Sequence, residues 1–305
     1  MTIVQLEYFL AVTCYGSFSA AAKHCFVSQP SLSMQISNLE DELGVILLDR
    51  TQKPIIPTET GMIVLQQAKE AVASFYTTKE RVNELKGEHS GMLRMGIIPT
   101  ISPYLLPKFI PNFMKKYPKV ELDFRDMMPL ALINALECDV IDIAIYPSGM
   151  PIKIKEIKLF NDRLYLYISP KNELYTRSEI HLNDIDVEQL LILSEGSTAN
   201  IKELKQLYLK NQKAKLQYNL TNSSIETMMH VVDVTSGITV IPGIIIDFLP
   251  EERRKHIRPF AKIDAHRKIV MAVRRTYVKE SLVNAVKESI IAVSKEYALM
   301  NFLYS

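Results

Sequence analysis

Cysteine is scarce in this 305-residue chain: Cys14, Cys25 and Cys138 are the only three. They are too few and too scattered for a disulfide framework, and none stands in the Cys-x-x-Cys or Cys/His spacing of a zinc site. Long apolar runs are missing as well. No stretch approaches the roughly 18–20 residues that a membrane helix needs. The N-terminus has no basic segment leading into an apolar core, so no secretory signal is expected. We therefore expect a cytoplasmic protein without a membrane partner. Catalytic signatures are absent too: His24, His89, His181, His230, His256 and His266 are scattered, and no nucleophile elbow, phosphate-binding loop or metal motif occurs. The expectation is no enzyme, no metal and no cofactor.

Positive charge is also in short supply. The net charge is +2, and residues 1–58 set Lys23, Arg50 and Lys53 against Glu7, Glu40, Asp41, Glu42 and Asp49, a local net of −2. Nucleic-acid-binding proteins usually carry a basic footprint. Charge alone does not suggest DNA as a partner here.

What is present is pattern. At 48% hydrophobic and 23% charged, the composition is that of an ordinary globular protein, and the length asks for two or three domains. Residues 16–44 read as two short helices and a turn. Ala20, Ala21 and Ala22 are small enough to let a second helix cross closely. Phe26 and Val27 form the turn, Ser28 stands at an N-cap, and Pro30 falls in the first turn, where its missing N–H costs nothing. Leu32, Ile36 and Leu39 repeat at helical spacing toward a core. The opposite face carries Gln29, Ser31, Ser33, Gln35 and Ser37, short polar groups suited to base edges and phosphates. This is the pattern of a helix-turn-helix whose second helix enters a major groove; an Ala-rich helical hairpin without DNA fits it too. Residues 3–14 predict a preceding helix with Leu6, Phe9, Leu10 and Thr13 on one side. Residues 47–48 and 55–56 predict two short strands of a wing that carries Arg50 and Lys53, where phosphate or minor-groove contacts are made.

Residues 58–87 change to a single long helix capped by Thr58. Leu65, Ala68, Val72, Phe75, Lys79 and Val82 follow a 3,4,3,4,3 spacing, the seam of a coiled coil interrupted by one lysine. We expect a dimer helix of roughly 40 Å; burial against a core of the same chain is the alternative. Residues 87–91 form the linker. Beyond it, strands alternate with helices. Strands are predicted at 93–98, 120–125, 141–146, 154–159, 164–168, 190–193, 216–220, 238–241 and 269–274, with helices at 103–117, 129–138, 199–210, 225–234 and 279–299. That alternation implies mostly parallel sheets, with ligands binding outside the carboxyl ends of the strands. Three segments place polar groups where strand ends meet helix starts: Thr100 and Ser102, Ser197 and Thr198, and Asn222 and Ser223. Hydroxyls and free N–H groups at helix N-termini suit a small anion such as a carboxylate, although each can also be a simple N-cap.

The N-terminal sixty residues closely resemble LysR-type transcriptional regulators. The matched features are Gly16-Ser17-Phe18, Ala21-Ala22, Val27 to Ser33, Leu39-Glu40 to Leu43-Gly44, Arg50-Thr51 and Thr58-Glu59-Thr60-Gly61. The resemblance implies a winged helix-turn-helix (1–58), a long dimerisation linker helix (59–90) and a two-lobed α/β effector domain like periplasmic binding proteins (91–305). Lobe I would comprise 91–161 and 266–305, and lobe II 162–265. Its partners would be double-stranded DNA, a small-molecule effector and a second copy in a homodimer or homotetramer, with RNA polymerase a further one. The DNA contacts it implies are Ser28, Gln29, Pro30, Ser31, Ser33, Gln35, Arg50 and Lys53. Met34 departs from the family, which usually has a polar residue there. Residues 97–113 and 223–242 resemble the OxyR subgroup, whose peroxide sensing uses two cysteines nine residues apart. Here those positions are Thr198 and Leu207, so that switch cannot operate there. Redox control through Cys14, Cys25 or Cys138 is an alternative, although each reads more readily as a small buried hydrophobe. A small-molecule binding module whose N-terminal helices only oligomerise is the rival from another class.

Overall fold

The computed structural model describes residues 1–85, 90–138, 140–149, 154, 156–191, 224–262, 265–273 and 280–301, with main chain only at 77, 79–85, 280 and 296–301. Contacts divide the chain into two units. The first is Met1–Ser90 with Glu137–Val140 and Arg274–Leu282; the second holds the rest.

In the first unit, helix ends are set by local chemistry. The Thr2 hydroxyl accepts the Gln5 N–H at 3.2 Å and the Gln5 side chain accepts the Thr2 N–H at 2.8 Å, a reciprocal cap that starts α1 (Ile3–Tyr15). Gly16 ends it with φ +60°, and a Cβ there would lie 2.5 Å from Pro54 Cβ, so space and conformation both demand glycine. α2 (Phe18–His24) and α3 (Gln29–Leu43) begin at Ser17 and Ser28, whose hydroxyls accept N–H groups three residues on. β1 (Leu48–Asp49) pairs antiparallel with β2 (Ile56–Pro57), each placed one residue later than predicted. Leu6, Phe9, Val12, Ala21, Ala22, Leu32, Ile36, Leu39 and Leu47 form one buried cluster, each large side chain contributing about 1.5–3 kcal/mol. Thr13, expected on the buried face of α1, instead donates its hydroxyl to the Phe9 carbonyl at 3.0 Å.

α4 (Glu59–Leu85) begins where the Thr58 hydroxyl accepts the Gly61 N–H at 2.9 Å. Its seam corrects the sequence reading. Ala68 is buried in the helix-turn-helix core, and Leu65 and Val72 pack against that core. Phe75 is exposed, and the side chains of Lys79 and Val82 lie outside the described residues. A 3.5-residue stripe marks a covered face but not which element covers it, and here α1 of the same chain takes the first half.

The second unit contains β3 (Gly91–Ile97), α5 (Ser102–Lys116), β4 (Val120–Asp126), α6 (Pro129–Glu137) except its last residue, β5 (Ile143–Pro147), β6 (Glu156–Ile168), β7 (Leu190–Leu191), α7 (Ile225–Val234), β8 (Ile238–Pro242), α8 (Glu251–Arg254), β9 (Ile257–Arg258), β10 (His266–Val273) and α9 (Glu280–Asn301) from Val283 onward. The strands follow the order β4-β3-β5-β10-β6-β8-β7, with β9 on β6. β3 lies parallel to β4 and β5, and β7 parallel to β8, as alternating strands and helices predict. The centre is different. β6 is one 13-residue strand where two were expected, antiparallel to β10 through residues 156–163 and to β8 through 164–168. β6 therefore continues from its pairing with β10 into its pairing with β8, and neighbouring strands not joined by a crossover helix can pair antiparallel. The predicted helix at 199–210 and strand at 216–220 lie outside the described residues.

Candidate functional site

Two constellations carry polar chemistry, one in each unit. In the first unit, α3 presents Gln29 and Pro30 exposed and Ser31 and Ser33 half-buried, while Leu32 and Ile36 point into the core. Ser28 is occupied at its hydroxyl, which caps α3 by accepting the Ser31 N–H at 3.3 Å. No acidic residue stands in the first turn of α3, so no carboxylate there neutralises the positive end of the helix dipole. Gln29 is preset by Ser19, whose hydroxyl donates to its amide oxygen at 2.8 Å.

Two expected contacts are tied to the protein itself. Gln35 accepts from the side chain of buried Gln5 at 3.2 Å. Arg50 donates to Glu40 at 2.7 Å and lies 5.1 Å from the centre of the Phe18 ring. Glu40 is itself built in, since its other oxygen accepts the Leu47 and Leu48 N–H groups at 2.8 and 3.3 Å. Lys53 stands exposed in the wing, and so does Met34 on α3. Phe26, at φ +55°, is 96% exposed in the turn before α3. Sequence reasoning placed Phe26 in the turn without seeing that the ring faces solvent.

In the second unit the node is Arg267 of β10. Its Nε donates to Asp162 at 2.8 Å, its Nη1 to the Thr100 hydroxyl at 2.8 Å and its Nη2 to the Thr100 carbonyl at 3.1 Å. Asp162 also accepts the Ile244 N–H at 3.0 Å. Burial pushes the Asp162 carboxyl up from the usual carboxylate range, while Arg267 beside it pulls it back. Around the node, the Tyr104 hydroxyl donates to Glu226, Lys108 pairs with Asp247 at 2.8 Å, and the Tyr104 and Phe248 rings meet at 5.5 Å. α5 is thereby joined to α7 and to the turn Gly243–Phe248.

Thr100 and Ser102 need correcting as helix caps. α5 begins at Ser102 itself, buried, after Ile101 and without a side-chain cap; the Thr100 hydroxyl serves Arg267 instead. Ser197, Thr198, Asn222 and Ser223 lie outside the described residues; next to the last, Ser224 caps α7 by accepting the Thr227 N–H at 3.1 Å. Sequence reasoning missed Asp162 and Arg267. No local signal singled them out, since Arg163 stands beside Asp162 and His266 and Lys268 flank Arg267.

The cysteine reading also changes. Cys14 and Cys138 are bonded as a disulfide, and Cys25 is free. Sequence distance hid the pair, because closing a long loop costs only a slowly rising entropy. Among the described residues, no group of three or more His, Cys, Asp or Glu could hold a metal ion, and no helix is long and apolar enough to cross a membrane.

Comparison with known proteins agrees with this geometry. Residues 3–62 match the model of bacterial regulatory helix-turn-helix proteins of the lysR family, and residues 86–294 match the LysR substrate binding domain. The hydrogen peroxide-inducible genes activator of Haemophilus influenzae is 32% identical over 259 residues, covering 85% of each chain. The DNA-binding transcriptional dual regulator OxyR of Escherichia coli is 32% identical over 84% of this chain and 82% of its own. A full-length OxyR structure from Pseudomonas aeruginosa, a cysteine-to-aspartate variant, superposes with a TM-score of 0.74 at 25% identity, over 95% of this chain and 94% of that one.

Proposed function

The chain belongs to the LysR family of bacterial transcriptional regulators, and from that premise we propose how this OxyR-like member reads DNA and senses its signal. Such regulators bind DNA and small-molecule effectors, act as oligomers and are not enzymes. In our reading Gln29, Ser31 and Ser33 of α3 contact base edges. Ser28, Pro30 and the open N-terminus of α3 approach a phosphate, Lys53 supports from the wing, and Arg50 and Gln35 hold the reading head in shape. The observation that carries this is α3 itself, a buried apolar stripe opposite an exposed polar one with an unopposed positive dipole end. The protein works in the cytoplasm, where its DNA is, as a homodimer or homotetramer in contact with RNA polymerase. Met62, Ile63 and Phe75, exposed on α4, offer an apolar surface to a second copy.

In the effector domain we place lobe I at 91–161 and 266–305 and lobe II at 162–265. The effector, a small anion or an oxidant, is sensed by Thr100 and Ser102 together with Ser197, Thr198, Asn222 and Ser223. Arg267 supports this reading as a buried cation whose Thr100 partner a competing anion or peroxide oxygen can replace. A ligand preferring one lobe arrangement shifts the assembly by its differential affinity for the two states. The test is a footprint on the gene's own upstream DNA. Gln29→Ala is expected to lose specific protection while its circular dichroism and melting stay those of the parent. Protection at unchanged affinity would sink the recognition-helix assignment.

A further inference from the structure

The side chain that α3 turns furthest from the core is not a polar one. Leu32 and Ile36 are fully buried, and Met34 stands midway between them, about 200° around the helix from each. Met34 is 56% exposed. Its neighbours one turn before and one turn after are Pro30, Ser31, Ser37 and Asn38, none of them charged. Two turns on, the same face ends in Asp41, a charge that phosphates repel. A duplex therefore meets this face at its N-terminal half, where recognition helices place their base contacts.

Chemistry narrows what Met34 can meet there. A thioether donates no hydrogen bond and accepts one only weakly. Its sulfur and terminal methyl gain from contact with an apolar or polarisable group, and they lose water without compensation against a polar one. Among the edges that base pairs present in the major groove, N7, O6, O4 and the amino groups are polar, and the C5-methyl of thymine is apolar. The formal balance of −2 over residues 1–58 sharpens the point. A reading head short of phosphate-binding cations depends more on its base contacts.

We propose that Met34 is a specificity-determining residue of the reading head, packing its thioether against the C5-methyl of a thymine in the major groove. The proposal rests on the recognition-helix reading above and deepens it, adding a preference for thymine at one position of each half-site. Gln29, Ser31 and Ser33 read by hydrogen bonds. Met34 reads by apolar contact, because a cytosine at that position has no methyl and sets its amino group against the thioether.

The experiment uses the full chain and synthetic duplexes of the gene's own upstream region, with deoxyuridine in place of thymine. Uracil lacks only the C5-methyl and keeps every hydrogen-bonding edge. Synthetic DNA also carries no 5-methylcytosine, the other source of that group. Duplexes substituted at random are bound, separated from free DNA and cleaved at uracil. One thymine in each half-site is expected to be depleted from the bound fraction. Affinity should fall roughly fourfold for one methyl lost, and roughly fifteenfold when both half-sites are substituted. Met34→Gln should bind thymine and uracil duplexes equally at that position, and Met34→Leu, which restores an apolar tip, should discriminate again. Methionine, leucine and glutamine are comparable helix formers and the site is exposed, so the three proteins should melt alike. The slope of log affinity against log salt should be the same in parent and Met34→Gln, since no phosphate contact is removed. Equal binding of thymine and uracil by the parent throughout its footprint would overturn the proposal and leave the recognition helix standing. A uracil effect that persists undiminished in Met34→Gln would overturn it too, by giving the methyl to another side chain. A parent that leaves no footprint on the all-thymine duplex would instead overturn the regulator reading on which the proposal rests.

Discussion

In the winged unit the best-connected carboxylate, Glu40, sits at the surface end of the core and pairs with Arg50, whose side chain is 42% exposed. In the regulatory fold the corresponding pair, Asp162 and Arg267, retains only 2% and 3% exposure. The first pair works in water, where Coulomb attraction is screened and side-chain ordering offsets much of it. The second works where each charge, left alone, has no solvent to fall back on. The two therefore do different jobs. Glu40 shapes a wing by holding the Leu47 and Leu48 N–H groups, with its charge secondary. Asp162 and Arg267 fix the junction of β6, β10, Thr100 and the turn at Ile244, and their charge is the structure of the junction.

The largest effect should come from breaking the buried pair on one side. Arg267→Met leaves Asp162 buried without its cation and Thr100 without two donors, a cost of about 3–5 kcal/mol. Urea unfolding followed by circular dichroism should show the regulatory transition moving to lower denaturant, with the winged unit's transition in place. Adding Asp162→Asn should recover much of the loss, since removal of both charges leaves no orphan. A single-variant cost below about 1 kcal/mol, the surface-pair range, would mean that the junction is wet and the contrast with Glu40 is wrong.

Glu40→Gln tests the other side and should have a smaller effect. The amide oxygen still accepts N–H groups, so the stability cost should stay at about 1 kcal/mol or less. The informative readout is DNA binding. With its carboxylate partner gone, Arg50 is available to a phosphate, and the slope of log affinity against log salt should steepen by about one. An unchanged slope would show that Arg50 already makes that contact with Glu40 beside it.

The same contrast explains what could be read from the sequence. In the winged unit the signals are local. Ser28 caps the helix it precedes, Leu32, Ile36 and Leu39 repeat within one helix, and Gly16 and Gly44 take the left-handed turns that end helices. Each is decided within a few residues, so periodicity and capping rules found all three helices and the wing to within a residue or two. The regulatory junction is decided by distance. Arg267 meets Thr100 across 167 residues and Asp162 across 105, and no spacing rule joins them. Alternation of strands and helices predicted the parallel half, β3 with β4 and β5, but not the antiparallel pairing of β6 with β10 and β8. The seam on α4 and the Cys14–Cys138 pair failed for the same reason: sequence shows that a face or a thiol has a partner, not which one.

Between the sealed pair and the exposed one lies His256, and pH should reveal it as the smallest of these effects. Its ring faces Tyr167 and Tyr175 at 5.1 and 5.6 Å between centroids, and its Nδ1 lies 3.5 Å from Asp233, too far for a good hydrogen bond. That nitrogen is buried with no hydrogen-bond partner among the described residues. Asp233 is already taken by Tyr167 at 2.6 Å and Arg253 at 2.7 Å. Burial pushes the imidazole below its ordinary 6.5, Arg253 and Arg258 add to that, and Asp233 only partly opposes it. The native state thus favours the neutral ring, while the unfolded chain takes up a proton near the ordinary value. The stabilisation is present above about pH 6.5 and is lost as pH falls toward the folded value. Urea midpoints measured between pH 7.5 and 5.5, above the carboxylate range, should decline toward acid in the parent and stay flatter in His256→Gln. Equal slopes in the two proteins would mean that solvent reaches His256, placing it with Arg50 rather than with Arg267.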